Sequence, residues 1–269
     1  DEFAGRFVIV EGCFSDMSTL IKSLPPKLHG LRTGETRKLD GAAFDLGVCS
    51  TQLDQPDRGF SFRNDGPLDM RMSKSGSSAA DVVMQSDARD LAQILWEYGE
   101  EKASRRIARA IVTARKTTAI TSTVQLAEII YSVMPSKKPG QIDPATRSFQ
   151  ALRVYVNREL DELKRGLTAV ESLLKPDGIL AVVSFHSLED RIVKRFLTTR
   201  SQHAARPSRH LPIADGATPT FDLIARKAVL PSKKECRINS RARSAKLRIA
   251  RRTNAPFLMS ANREPVVCG

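Results

Sequence analysis

The chain has 269 residues, enough for one large domain or two modest ones, and the composition of a globular protein. Hydrophobic residues make up 41% and charged residues 27%, which argues against the disordered, collagen-like and membrane-spanning classes. The net charge of +13, with a pI near 9.9, points to an anionic partner.

The first 50 residues predict two strands of a parallel sheet with a helix between them. Residues 7–10 are a short continuous apolar run, which is typical of a buried strand, and a helix is expected over 15–21. A second strand over 39–48 has Asp45 at its carboxyl end. Because open α/β sheets bind ligands at these strand ends, Asp45 is a candidate binding residue.

The middle of the chain predicts an ordered loop followed by several helices. Residues 54–76 lack regular periodicity, but their large apolar side chains predict a lid that packs down over another surface. From 77 to 134, helix caps such as Ser78 and Asp87 and apolar residues at helical spacing predict a cluster of helices. This cluster interrupts the alternation of strands and helices, so we expect an inserted subdomain.

The last part of the chain returns to alternating helices and strands. The predicted elements are a long helix over 143–174, a buried strand over 179–185, a helix over 188–197, a linker over 202–220, and strands over 221–229 and 245–250. This order predicts an α/β fold with a doubly wound sheet and a C-terminal hairpin.

The predicted domain organisation is a sheet domain interrupted by the helices. We expect its first part over residues 1–73, the helical insertion over 74–142, and its second part, with a basic hairpin, over 143–269. No apolar run approaches the ~18 residues that a membrane-spanning helix needs, so no membrane partner is expected.

The positive charge is concentrated near the C-terminus. Residues 191–256 carry 17 Lys or Arg against three acids, a net charge of +14, whereas the rest of the chain has a net charge of −1. A positively charged segment in an otherwise nearly neutral chain favours binding to a phosphate backbone or an anionic surface. The alternative is a solvated basic face that only keeps the protein soluble.

Cysteine usage favours a reducing compartment. The four cysteines lie far apart, without a C-x-x-C pair or a histidine at ligand spacing: Cys13, Cys49, Cys236 and Cys268. Neither a disulfide framework nor a zinc site is therefore predicted. Since the first residues also do not resemble a signal peptide, we expect a cytoplasmic protein.

A second strand end gathers several ionisable side chains. The strand predicted at 179–185 runs into His186, which is expected at the same sheet edge as Asp45. Ser187 and Asp190 are explained as capping residues of the next helix. A metal site that adds Glu189 is disfavoured, because adjacent residues on one turn cannot all face a single ion.

Several long motifs of the chain resemble those of the RsmH (MraW) family. They run from about residue 7 to 254 and include D-L-G-V-x-S-x-Q-L-D at 45–54, R-G-F-S-F at 58–62, D-G-P-L-D-M-R-M at 65–72, Y-G-E-E at 98–101, T-x-x-F-Q-A-L-R at 146–153, S-F-H-S-L-E-D-R-I-V-K at 184–194 and R-x-R-S-x-K-L-R at 241–248. The resemblance implies an S-adenosylmethionine-dependent methyltransferase that acts on cytosine N4 of small-subunit ribosomal RNA.

The resemblance also implies a Rossmann-like sheet with a helical insertion, which agrees with the order of predicted elements. By position in the motifs, Phe14, Asp45 and Gln52 match residues that contact S-adenosylmethionine. The family's first strand, with its glycine-rich turn, and the acidic end of its second strand should precede residue 7. Because the chain lacks them, we expect an N-terminally truncated member with part of the cofactor site missing.

The implied reaction needs few catalytic groups. The cytosine N4 amine is a poor nucleophile because its lone pair is delocalised, so transfer needs in-line placement and an acceptor for the amine proton. The candidates for that acceptor are Asp69, Ser184 and His186, and lid aromatics are available to stack an extruded base. The candidates for RNA contact are Arg58, Arg63, Arg71, Arg191, Arg241, Arg243 and Lys246.

Two other function classes stay open at this point. A catalytically incomplete fragment would still bind RNA through its basic block. A metal-dependent phosphodiesterase using His186 and Asp190 would require a bound divalent ion, although no set of metal ligands is expected. The expected partner is small-subunit ribosomal RNA or its ribosomal particle, and the oligomeric state is left open.

Overall fold

A computed structural model describes residues 7–24, 38–73, 75–135, 141–201 and 218–257. The chain forms two compact units, each with its own hydrophobic core. We call residues 1–46 and 160–269 the sheet unit and residues 47–159 the helical unit. None of the helices in the described ranges combines the length and apolar character needed to cross a bilayer.

Helices and strands account for most of the described residues. The helices are α1 (Met17–Ser23), α2 (Ser50–Asp54), α3 (Ala79–Gln85), α4 (Ala88–Gly99), α5 (Ser104–Ala114), α6 (Thr123–Val133), α7 (Thr146–Val156), α8 (Glu159–Leu173), α9 (Ser187–Ser201) and α10 (Lys233–Ile238). The strands are β1 (Leu39–Asp45), β2 (Leu174–Ser184), β3 (Phe221–Leu223) and β4 (Lys246–Arg252). The predicted α/β class is confirmed.

The sheet has the strand order β1-β2-β4-β3 and is mixed. β1 runs parallel to β2, whereas β4 is antiparallel to both β2 and β3. Asp45 on β1 pairs with Val183 on β2, and Ser184 pairs with Lys246 on β4. The carboxyl ends of β1 and β2 therefore meet at one edge of the sheet, as predicted.

Helix α8 supplies the apolar face that covers the sheet. Leu163, Leu167 and Val170 are spaced three or four residues apart and are fully buried in one core with Leu180 and Val182 of β2. Each such side chain contributes about 1.5–3 kcal/mol relative to an exposed one. The predicted apolar stripe is confirmed along this part of the helix.

The single long helix predicted over 143–174 is wrong, because the chain breaks between α7 and α8. The Asn157 amide donates to the carbonyls of Met70 and Arg153, and its Oδ1 accepts from the Met72 backbone N–H at 2.7 Å. Arg158 then adopts a left-handed conformation, with φ +51°. An Asn side chain that bonds distant backbone groups ends a helix that local periodicity would continue.

The buried strand predicted over residues 7–10 is also wrong. These residues have no regular secondary structure, and all four are exposed, Ile9 to 85%. An apolar run becomes a buried strand only where a neighbouring strand pairs with its backbone. Within the described ranges, the pairing partner of β1 is β2, and residues 7–10 join no ladder.

The C-terminal hairpin is confirmed with different bounds. β3 is shorter than predicted, and the chain rejoins β4 through an isolated bridge between Val229 and Leu247. The turn of the hairpin contains α10 and a short 3-10 helix at Ser240–Ser244. The linker predicted over 202–220 lies outside the described residues except for 218–220.

The helical unit is larger than the predicted insertion. Residues of the predicted lid are buried in the core formed by helices α3 to α7: Phe60, Leu68 and Met70. Phe149 and Leu152 of α7 belong to the same core. The compact unit runs over 47–159, whereas the predicted insertion runs over 74–142, because side chains of the lid and of α7 pack into the same core as the other helices.

Candidate active site

The end of β1 presents an unpaired carboxylate. Asp45 is exposed, and its side chain has no hydrogen-bond or ion-pair partner among the described residues. The Leu46 backbone N–H still donates to the Val183 carbonyl at 3.1 Å, and Gly47 then turns the chain with φ +87°. Such a conformation is open to glycine at little cost, so the strand ends sharply after Asp45.

Phe14 lies on the surface of the sheet unit, against α8 and β1. Its ring packs edge-on against Phe44 with 5.4 Å between centroids. A Cβ on Gly166 would lie 2.3 Å from the Phe14 ring, so the glycine makes room for this aromatic side chain. One side of the ring stays partly exposed.

Gln52 caps helix α2 in the helical unit. Its side-chain Oε1 accepts from the Cys49 backbone N–H at 3.0 Å, which satisfies one of the free donors at the helix start. The Thr51 hydroxyl lies 2.8 Å from the Cys49 sulfur and lowers the pKa of that thiol.

Ser184 and His186 stand at the end of β2 in well-packed positions. Ser184 is 2% exposed, and its hydroxyl donates to the Lys246 carbonyl at 3.4 Å. The His186 side chain is 10% exposed, and its Nε2 lies 3.2 Å from Glu189 Oε1. The Glu189 backbone N–H points at Nδ1 from 3.4 Å, which favours the tautomer with its proton on Nε2.

Glu189 organises this strand-to-helix turn. Its Oε2 accepts from the backbone N–H groups of Phe185 at 2.9 Å and His186 at 3.3 Å. A carboxylate in the first helical turn is favourable because it satisfies free backbone donors and opposes the helix dipole. The predictions did not find this role, although a Glu three residues after the residue that precedes a helix, here His186, is its usual sequence signal.

The Asp190 carboxylate forms two ion pairs with residues of β4. Its carboxylate accepts from Arg248 Nε at 2.7 Å and from Lys246 Nζ at 3.2 Å. Burial raises the pKa of Asp190, but the hydrogen bonds from these two cations outweigh it and lower the pKa. Pairing with two cations disfavours the phosphodiesterase hypothesis, in which Asp190 would hold a metal.

Asp69 lies in the lid of the helical unit and is bound by Arg71. Its Oδ1 accepts from the backbone N–H and Nε of Arg71, both at 2.9 Å, and Oδ2 accepts from Nη2 at 2.7 Å. The guanidinium hydrogen bonds hold the pKa of Asp69 below its ordinary value. The side chain is 31% exposed, and Oδ2, with one donor, has a lone pair to spare.

A family model described as the MraW methylase family matches residues 1–253 of the chain. The chain belongs to this family.

Curated relatives agree with the assignment. The chain is 55% identical over 255 residues to the Ribosomal RNA small subunit methyltransferase H of Paramagnetospirillum magneticum, covering 94% of this chain and 77% of the relative. It is 54% identical over 257 residues to the protein of the same name from Parvibaculum lavamentivorans, covering 96% and 73%. A third, from Rhodospirillum centenum, is 56% identical over 255 residues, covering 94% and 74%.

For this member of the MraW methylase family, the structure sorts the predicted site residues by unit. Asp45, Ser184 and His186 lie at one edge of the sheet, and Phe14 belongs to the same unit. Gln52 and Asp69 belong to the helical unit. Family membership and the mixed sheet confirm the predicted methyltransferase fold class.

The predicted RNA-contacting residues of this MraW family member have different surroundings. Arg58 donates to the carbonyls of Arg71 and Met72, and Arg71 also donates to the Gly76 carbonyl, so both tie the lid together. Lys246 is held by Asp190. The exposed candidates are Arg63, Arg191, Arg241 and Arg243.

Proposed function

We propose that this protein transfers a methyl group from S-adenosylmethionine to the N4 amine of a cytosine in small-subunit ribosomal RNA. The observation that carries the proposal is membership of the MraW methylase family together with more than 50% identity to enzymes named for that subunit. S-adenosylmethionine, the methyl donor of this family, supplies an electrophilic methyl group when bound. A reaction on ribosomal RNA belongs in the cytoplasm.

Asp69 is the group best suited to accept the amine proton. With S-adenosylmethionine bound, transfer to N4 would form a C–N bond and leave the electron pair of the sulfur–methyl bond on sulfur, and the amine would have to lose a proton. The depressed pKa keeps Asp69 ionised at neutral pH, and its Oδ2 can accept a further hydrogen bond. Ser184 is too buried, and its hydroxyl is already donated to a carbonyl.

His186 serves as a positioning residue in this proposal. Its ring is mostly buried, and its Nδ1 accepts from the Glu189 backbone N–H at 3.4 Å, which ties the ring to the turn between β2 and α9. The turn follows Ser184 at the sheet edge where Asp45 also lies. Replacement of His186 should lower methyl transfer by shifting this edge.

The residues of the sheet unit fit the chemistry of the donor. S-adenosylmethionine carries positive charge on its sulfonium and amino groups and an aromatic adenine. The unpaired Asp45 carboxylate fits a cationic or hydrogen-bond-donating group, and the partly exposed Phe14 ring offers an apolar face. Gln52 is assigned to the cofactor site on the basis of its position in the motif. The contacts of its side chain do not add to that assignment, because in the structure it caps α2.

The basic C-terminal hairpin is the surface that we assign to the ribosomal RNA backbone. Arg241 and Arg243 lie in its 3-10 helix, and Lys233, Lys234 and Arg237 lie on α10, all exposed. Cations spread over an exposed turn neutralise phosphates without regard to base sequence.

Binding of labelled S-adenosylmethionine to this chain separates the methyltransferase from an RNA-binding fragment. We expect saturable binding at one site, and about tenfold weaker binding by Asp45→Asn, because asparagine keeps an acceptor oxygen but loses the negative charge that strengthens the hydrogen bond. Asp40→Asn is the matched control, since Asp40 lies on the same strand and forms an exposed ion pair with Lys175. RNA binding without any S-adenosylmethionine binding would favour the RNA-binding fragment.

A further inference from the structure

An open groove of about 420 Å³ lies between α5 and α6 of the helical unit. Much of its lining is apolar and comes from Ala110 and Ala114 on α5 and Ile129 and Val133 on α6. Its volume falls in the range of sites that hold small ligands or single chemical groups of larger ones. None of the residues assigned to the methyl-transfer reaction lines it.

Two arginines without a counter-charge line the groove. Arg106 and Arg109 are exposed and one turn apart on α5. Arg109 Nε donates to the Arg105 carbonyl at 3.2 Å, and Arg106 Nη2 lies 3.5 Å from the Met134 sulfur. Among the described residues neither arginine forms an ion pair, and no carboxylate lines the groove. Positive potential at an apolar groove favours a ligand that is both anionic and apolar.

We propose that this groove binds one nucleotide of a single-stranded segment of the ribosomal RNA substrate, an inference that rests on the proposed function. The aliphatic wall provides a surface for the face of a base. The guanidinium groups of Arg106 and Arg109 match a phosphate, which accepts two parallel hydrogen bonds from such a group. The Thr113 hydroxyl, also in the lining, matches the 2′-hydroxyl that distinguishes RNA, and the Ser132 hydroxyl, which donates to the Ile129 carbonyl at 2.8 Å, can still accept from it.

An RNA occupant is favoured over an acidic peptide by charge and by shape. The charged side chains that line the groove, Arg106 and Arg109, are both cationic, and the proposed substrate is a polyanion. A single nucleotide carries both the apolar face of its base and the negative charge of its phosphate, which match the aliphatic wall and the two arginines of the groove. An acidic peptide would have to present a carboxylate and a separate apolar side chain at matching positions.

The test is the binding of a fluorescent single-stranded oligonucleotide from small-subunit ribosomal RNA, measured by anisotropy at several salt concentrations. We expect the variant Arg106→Gln/Arg109→Gln to bind about tenfold more weakly. The slope of log K against log salt concentration should become shallower by about 1.4, because each phosphate contact to a single strand contributes about 0.7. Thr113→Glu, which places a carboxylate at an exposed groove position, should weaken binding as well. Arg89→Gln/Lys102→Gln removes the same charge from exposed positions of the helical unit outside the groove and should bind like wild type.

Equal weakening by the groove variant and the control would overturn the proposal, because it would reflect net charge alone. Unchanged RNA binding by the groove variant, with loss of binding to an acidic peptide, would assign the groove to a protein partner instead. Wild-type methyl transfer is measured separately. A wild-type protein that binds RNA through the groove but transfers no methyl group would contradict the proposed function and leave the groove assignment supported.

Discussion

Replacement of Glu171 by alanine should lower the free energy of unfolding by about 3–5 kcal/mol, the cost of breaking one side of a buried ion pair. Glu171 is fully buried on α8, and its Oε2 accepts from Arg200 Nε of α9 at 2.5 Å. Its Oε1 accepts from the Thr220 hydroxyl at 2.6 Å. The alanine variant would leave a guanidinium and a hydroxyl without their partner inside the sheet unit.

The same carboxylate lies in a larger polar network. Arg252 of β4 is buried and donates to the carbonyls of Glu171, Thr220 and Ala255, so the network ties α8 and α9 to the last strand. Desolvation lowers the pKa of Arg252, although the nearby Glu171 partly opposes that shift. A buried cation needs these acceptors, and loss of Glu171 removes the charge that balances two arginines.

Urea unfolding at pH 7, followed by circular dichroism, measures the effect. The control is Asp161→Ala on the same helix, where the ion pair with Lys164 is exposed and worth less than about 1 kcal/mol. Glu171→Gln keeps an acceptor for Thr220 and should give an intermediate loss. If Glu171→Ala and Asp161→Ala unfolded at the same urea concentration, the buried network would not carry the stability assigned to it.

Replacement of Asp69 by asparagine should slow methyl transfer by about a hundredfold, within the usual range for loss of a proton acceptor. Asparagine can keep the oxygen that accepts from the backbone N–H and Nε of Arg71, although it loses the acceptor for Nη2. It has no negative charge, however, and cannot take a proton. Affinity for S-adenosylmethionine should change less than about twofold, which separates a catalytic role from a binding role.

Single-turnover methyl transfer to small ribosomal subunits, with calorimetry for S-adenosylmethionine, measures both quantities. Asp57→Asn is the control, since Asp57 is an exposed carboxylate in the same segment and should react at the wild-type rate. A hundredfold loss in Asp57→Asn as well, or an unchanged rate in Asp69→Asn, would remove Asp69 from the mechanism.

The pH profile gives a further check on Asp69. The hydrogen bonds from Arg71 hold the pKa of this carboxyl below its ordinary value, so the group stays ionised as pH falls from 8 to 5. The rate should therefore be independent of the ionisation of Asp69 over that interval. A fall with an apparent pKa between about 6 and 7 is the behaviour of an imidazole and would assign the proton to a histidine.

The sheet edge could be predicted from sequence because its signals are local. The continuous apolar run of β2 and the start of α9 directly after it fix where Ser184 and His186 stand. Asp45 follows from the same rule for β1. The order of strands and helices then predicts parallel pairing of these two strands, which brings the residues to one edge.

Features that depend on distant contacts could not be predicted. The break at Asn157 is made by hydrogen bonds to Met70 and Met72, more than 80 residues away in sequence. The roles of Arg58 and Arg71 likewise depend on lid carbonyls that only the folded loop presents. The presence of a basic residue in a motif does not show whether its side chain contacts RNA or backbone carbonyls elsewhere in the protein.

The most direct test is to identify the modified atom. Small ribosomal subunits lacking the modification are incubated with the protein and isotope-labelled S-adenosylmethionine, and their RNA is digested to nucleosides for mass spectrometry against synthetic standards. We expect label in N4-methylcytidine or its derivatives. Unlabelled RNA, or label on carbon 5 of cytosine or on another base, would contradict it.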